Sequence, residues 1–92
     1  MSVKYVVLYE SADDVMSKAP AVFPRHEAHM QPFIADGRLL MIGTFGDPQT
    51  EGSMAIFTTR AAAEEFVASD PFVLEGVVAR HEIREWDEAL QS

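Results

Sequence analysis

Two histidines stand three residues apart in FPRHEAHM (23–30), and the 92-residue chain holds only one other, His81. With no cysteine present, thiolate nucleophiles, disulfides and Cys-based zinc or iron–sulfur sites are excluded. The chemistry left to the chain belongs to His, Asp, Glu, Tyr, Ser and Thr. Three readings fit the pair His26 and His29. As metal ligands, an i, i+3 pair is geometrically acceptable, but a stable site needs a third ligand, and HEAH falls one residue short of H-E-x-x-H. As core residues, both imidazoles would sit at a packed edge and bond to backbone carbonyls. As a catalytic base, one imidazole must be held in a single tautomer by an orienting acceptor, usually a buried carboxylate. Asp70 is the best placed carboxylate, at the end of an apolar helix face and next to Pro71, although Asp-Pro is also an ordinary turn former. Residue pattern alone leaves these readings open.

The elements that must position these groups follow from periodicity. VKYVVLY (3–9) is rich in β-branched and aromatic residues and predicts a strand. Residues 10–22 hold Ser11, Asp13, Asp14 and Pro20 and read as a loop with at most one helical turn. Pro24 suits the first position of a helix, where its missing N–H costs nothing. His26, His29, Met30, Phe33 and Ile34 follow one helical face, Gly37 suits the residue just past the helix end, and Pro32 predicts a kink. RLLMIGTF (38–45) and SMAIFTT (53–59) read as strands around a turn-rich GDPQTEG (46–52). Thr59 can cap a helix over 60–69, residues 70–76 read as a turn, and VVARHEIREW (77–86) as a last strand.

The order is βαββαβ, an α+β ferredoxin-like arrangement: a four-stranded antiparallel sheet with two helices on one face. The chain is one domain over 1–92. Its strands are apolar on both sides, Tyr5 and Val7 alternating with Val6 and Leu8, so the face without helices needs a cover. A second copy of the chain, packed sheet to sheet, is the simplest one.

Fifteen acidic against seven basic residues give a net charge of −8, a field that repels phosphate backbones, so no nucleic-acid partner is expected. No apolar run approaches the roughly 20 residues of a spanning helix, no membrane partner is expected, and the N-terminus reads as a strand instead of a signal peptide. The expected location is cytoplasmic.

Taken together, the segments PRH, Gly37 eleven residues after His26, GRLLMIGTF, GDPQTEG, AAAEEFVASDPF and GVVARHEIREW resemble the YCII-related family in order and spacing, from Val3 to Trp86. The resemblance implies a ferredoxin-like subunit of a dimeric α+β barrel and a site built on a His–Asp pair. Carried over by spacing to Gly37, the histidine is His26 and not His29; the aspartate of the family's D-P-F/Y is Asp70. Thr44 replaces a frequent proline, and His29 and Pro32 are not motif residues.

The resemblance thus implies general acid/base proton transfer on a small, cyclic organic substrate by His26 and Asp70, with neither cofactor nor metal. Lyase or isomerase chemistry suits this residue set better than hydrolysis, since no activated nucleophile is evident. Tyr5, Tyr9, Met30, Phe33, Phe45 and Phe72 are expected to line the pocket, with Gly43 allowing close backbone approach. A non-catalytic dimeric module binding a small ligand or a protein is the alternative.

Overall fold

The computed structural model describes residues 2–90. Four strands, β1 (Ser2–Ser11), β2 (Leu39–Thr44), β3 (Ser53–Phe57) and β4 (Val78–Glu88), form one antiparallel sheet in the order β2-β3-β1-β4. Helix α1 (Val15–Ala35) and helix α3 (Arg60–Ser69) cover one face. Short helices α2 (Pro48–Glu51) and α4 (Pro71–Leu74) occupy stretches that the sequence reads as turns. The ferredoxin-like α+β architecture is therefore present.

The largest departure from the sequence reading is α1. It starts at Val15, absorbs most of the segment expected to be a loop, and runs through Pro20, Pro24 and Pro32. Its buried residues Val15, Val22, His26 and Phe33, with the half-buried Ala19, His29 and Met30, fall on one face at 100° per residue. The three prolines lie on the other side and are exposed. Carbonyls freed by their missing N–H groups can therefore be met by water, which is where helices tolerate such losses best. His26 consequently sits in mid-helix, not in the first turns.

Register sorts the sheet. Val7 pairs with Ala55, Tyr5 with Phe57 and Tyr9 with Ser53, and these residues face the helices. Phe33, Phe57 and Phe66 form the centre of the core, with Phe66 lying 5.2 Å from Phe33 and 5.1 Å from Phe57, ring centre to ring centre. Burying each such ring contributes roughly 2–3 kcal/mol. The opposite face carries Val6 beside Ile56, Leu8 beside Met54, and Arg84 and Glu82 from β4. A second small cluster, Val15, Val22 and Val77, anchors the start of α1.

Three local features fix the connections. Thr59 caps α3 by accepting from the Ala62 N–H at 3.1 Å. Gly37 ends α1 at φ +79°. Gly52, at φ +76°, lies so close to β1 that a Cβ there would come within 2.0 Å of the Tyr9 carbonyl oxygen. Among the described residues no helix is long and apolar enough to cross a membrane.

Candidate active site

Asp70 ends α3 and begins α4, and both helices depend on it. Its backbone N–H caps α3 on Val67, and its Oδ1 accepts from the Phe72 N–H at 3.0 Å to cap α4. Pro71, at the first position of α4, fixes the turn. This double duty places the carboxylate inside the protein, with 0% of the residue exposed. A buried carboxylate needs donors for its oxygens. Besides Phe72, His26 Nδ1–H donates to Oδ1 at 2.7 Å and the Tyr9 hydroxyl donates to Oδ2 at 2.7 Å. Three donors thus converge from α1, β1 and α4.

The arrangement fixes the imidazole. Because Oδ1 is an acceptor, Nδ1 carries the hydrogen and Nε2 holds the free lone pair in the neutral ring. Phe72 stacks on the ring at 3.9 Å between centres and 8° between planes, and Phe66 meets it edge-on. Among the described residues Nε2 has no hydrogen-bond partner, yet no fully buried side-chain nitrogen or oxygen there lacks one. Nε2 is therefore not sealed in the core, and His26 is one of the residues that line a cavity. Tyr9 is set differently: burial first, and the neighbouring Asp70 charge second, hold its phenol far above its ordinary value. It is a fixed donor to the Asp70 carboxylate.

The cavity measures about 410 Å³. Val15, Ala19, Phe23, His26 and Met30 of α1 make one wall. Val7, Tyr9, Ser53, Ala55 and Thr44 of the sheet make the floor, and Phe72, Val77 and Val78 close one end. Met16, Ile42, Gly43 and Pro48 also border it.

Of the residues named from sequence, the structure brings together His26, Asp70, Tyr9, Met30, Gly43 and Phe72. Three others lie elsewhere. Tyr5 is on the correct sheet face but beyond the cavity, under the Arg60 guanidinium and 3.4 Å from Glu85. Phe33 is a core residue with Arg38 over its ring. Phe45 lies in a shallow groove with Met41 and Ile56, outside the cavity. All three are aromatic residues whose pattern fits core or surface as well as pocket. Gly43 borders the cavity, and no atom lies within 4 Å of where its Cβ would stand. Val15 and Ala19 escaped the sequence reading because residues 10–22 read as a loop, and Phe23, just beyond them, was not named. The spacing Val15, Ala19, Val22, His26 was the available signal. His29 accounts for itself locally, Nε2 lying 2.9 Å from the Phe66 carbonyl and tying α1 to α3. Among the described residues, no three His, Asp or Glu side chains converge as a metal site requires.

The chain is similar in fold to several solved structures. The dehydrochlorinase TftG from Burkholderia phenoliruptrix AC1100, acting on 5-chloro-2-hydroxyhydroquinone and solved with 2,5-dihydroxybenzoquinone, aligns with a TM-score of 0.73 at 19% identity, covering 94% of this chain and 95% of that one. SnoaB, a cofactor-independent oxygenase from Streptomyces nogalater, aligns at 0.51 and 15% identity over 97% and 94%. A dimeric ferredoxin-like protein from Bacteroides fragilis aligns at 0.53 and 17% identity over 94% and 95%. At such identities the likeness is one of fold. No curated protein matches the chain. Residues 3–87, nearly its whole length, match the family described as the YCII-related domain. The chain belongs to the YCII-related domain family.

Proposed function

We propose that this protein is a cofactor-independent enzyme that moves a proton on a small cyclic organic substrate, with His26 as general acid/base and Asp70 as its orienting partner. The observation that carries the reading is the 2.7 Å bond from His26 Nδ1 to Asp70, which leaves Nε2 free on a residue that lines an apolar cavity. Nε2 takes a proton from a substrate C–H or O–H, and Asp70 stabilises the imidazolium formed. In an elimination, the C–H electron pair becomes a new π bond as a leaving group departs with its own pair. In an isomerisation, the same proton returns to a different atom. Phe72 keeps the ring plane fixed throughout, and Met30, Phe72 and the sheet floor hold the substrate.

Support for a ring substrate comes from the size and apolar lining of the cavity, within the range of small-molecule sites, and from the ring compound bound by the similar TftG. The working unit is a homodimer through the open sheet face, where Val6, Leu8, Met54 and Trp86 would otherwise form an apolar patch.

The test is a panel of small carbonyl and phenolic ring compounds incubated in D₂O with wild type and with His26→Ala, followed by proton NMR. The expected result is deuterium entering one C–H position with wild type and not with the variant. Compounds that bind both forms alike and are left unchanged by wild type would instead identify a non-catalytic binding module.

A further inference from the structure

None of the chain's lysines and arginines lines the cavity. Lys4 pairs with Glu88, Lys18 with Asp14, Arg25 with Glu75, Arg38 with Asp36 and Glu65, and Arg80 with Glu10. Arg60 lies over the Tyr5 ring, 5.3 Å from its centre, and Arg84 lies with Val6, Leu8 and Trp86 on the opposite face of the sheet. These are all seven lysines and arginines of the sequence. No lysine, arginine, aspartate or glutamate lines the cavity among the described residues. The wall's polar side chains are His26 and hydroxyls. The Tyr9 hydroxyl is committed to Asp70 and that of Ser11 to the Pro48 carbonyl, which leaves Thr44 and Ser53.

We infer that the site selects uncharged, mostly apolar ring compounds whose polar groups are hydroxyl or carbonyl oxygens, and rejects carboxylates and phosphates. This rests on reading His26 as the acid/base group and adds what that group will accept. A carboxylate inside this cavity would lose its water and meet no cation. Imidazolium formation does not rescue it, because Asp70 already balances that charge and a third charged group leaves a net negative cluster. The chain's −8 charge also acts against entry of an anion. A neutral ring incurs none of these costs, and its hydroxyl or carbonyl can meet Nε2 at one end and the Thr44 or Ser53 hydroxyl at the sheet floor.

The test uses two pairs of probes matched in ring size, phenol with benzoate and 2-naphthol with 2-naphthoate. Each is titrated into the homogeneous protein at about pH 8, where the acids are ionised and the phenols are not. Amide shifts in the ¹⁵N NMR spectrum report affinity and location. Wild type is expected to prefer the neutral member of a pair by at least about tenfold, with shifts at residues around His26. Ile42→Lys, which adds a cation at the cavity border, is expected to bring the carboxylates into the same site. Carboxylates binding wild type as tightly as phenols, shifts confined to the open sheet face, or no probe binding at millimolar concentration would each overturn the inference. His26→Gln separates it from the acid/base reading. If that variant loses deuterium exchange but keeps the preference for neutral rings, both stand. If wild type shows the preference and no compound exchanges deuterium, charge selection stands and the enzyme reading falls.

Discussion

Replacing Asp70 by asparagine removes one charge and almost no volume, so it isolates what the carboxylate does. The two oxygens now accept from His26, Phe72 and Tyr9, at 2.7, 3.0 and 2.7 Å. In the variant, the amide oxygen can keep His26 and Phe72 only by turning its NH₂ toward Tyr9. The Tyr9 hydroxyl must then accept, leaving its own hydrogen without a partner. Two charge-assisted bonds of about 1.5–3 kcal/mol become neutral ones of about 0.5–1.5, and one buried hydroxyl hydrogen is orphaned. Relief from burying a charge offsets part of that loss, so a net destabilisation of about 1–3 kcal/mol is expected. A domain of this size has about 5–15 kcal/mol in hand and stays folded. Its midpoint should drop by roughly 5–20 °C in thermal unfolding followed by circular dichroism. Proton transfer should suffer far more, by about two to four orders of magnitude, because the imidazolium loses its partner. Deuterium incorporation into a compound turned over by wild type measures that loss. A variant with wild-type exchange, or with stability changed by less than about 0.5 kcal/mol, would refute the assignment of Asp70 as the group holding this site together.

Tyr9→Phe should cost about 1–2 kcal/mol, since it strips Oδ2 of its donor. It should also change the alkaline limb of stability. The folded state keeps the Tyr9 phenol protonated while the unfolded chain loses that proton near pH 10. The Tyr9 contribution is therefore complete below about pH 10 and declines by about 1.4 kcal/mol per pH unit above it. Urea unfolding between about pH 9 and pH 11 should show a shallower decline for the variant, and an identical slope would contradict this role. Gly52→Ala, forced to accommodate a Cβ 2.0 Å from the Tyr9 carbonyl at φ +76°, should be among the most damaging small substitutions, with soluble yield and thermal midpoint as the readouts. Val6→Glu on the open sheet face should convert a dimer to monomer in sedimentation velocity while leaving the circular dichroism spectrum intact; a dimer that survives it would place the interface elsewhere.

Much of the architecture was legible because strand signals here are strong and local. VKYVVLY and RLLMIGTF carry β-branched and apolar residues bounded by polar or turn segments, and both are strands. The start of α1 was not legible, because Pro20 and Pro24 disfavour helix by local propensity. Tertiary packing overrides them: Val15 and Val22 bury against Val77, and the prolines fall on the solvent side. That error hid Val15 and Ala19 of the cavity wall that α1 supplies. The His26–Asp70 pairing was implied by the resemblance to the YCII-related family, carried over through the spacing to Gly37 and the D-P-F stretch, neither of which specifies a distance. Its third member was missed: Tyr9 was expected as a pocket aromatic, and only the antiparallel register of β1 turns its hydroxyl onto Oδ2. Aromatic type alone could not separate Phe72, which stacks on His26, from Phe33, which fills the core.

The most direct test is the tautomer of His26, read from its ¹⁵N side-chain shifts at a pH where the ring is neutral. The expected result is a protonated Nδ1 and an unprotonated Nε2, with the Nδ1 proton lost from its hydrogen-bonded position in Asp70→Ala. An Nε2–H tautomer in wild type, with the lone pair on Nδ1, would contradict the base facing the cavity.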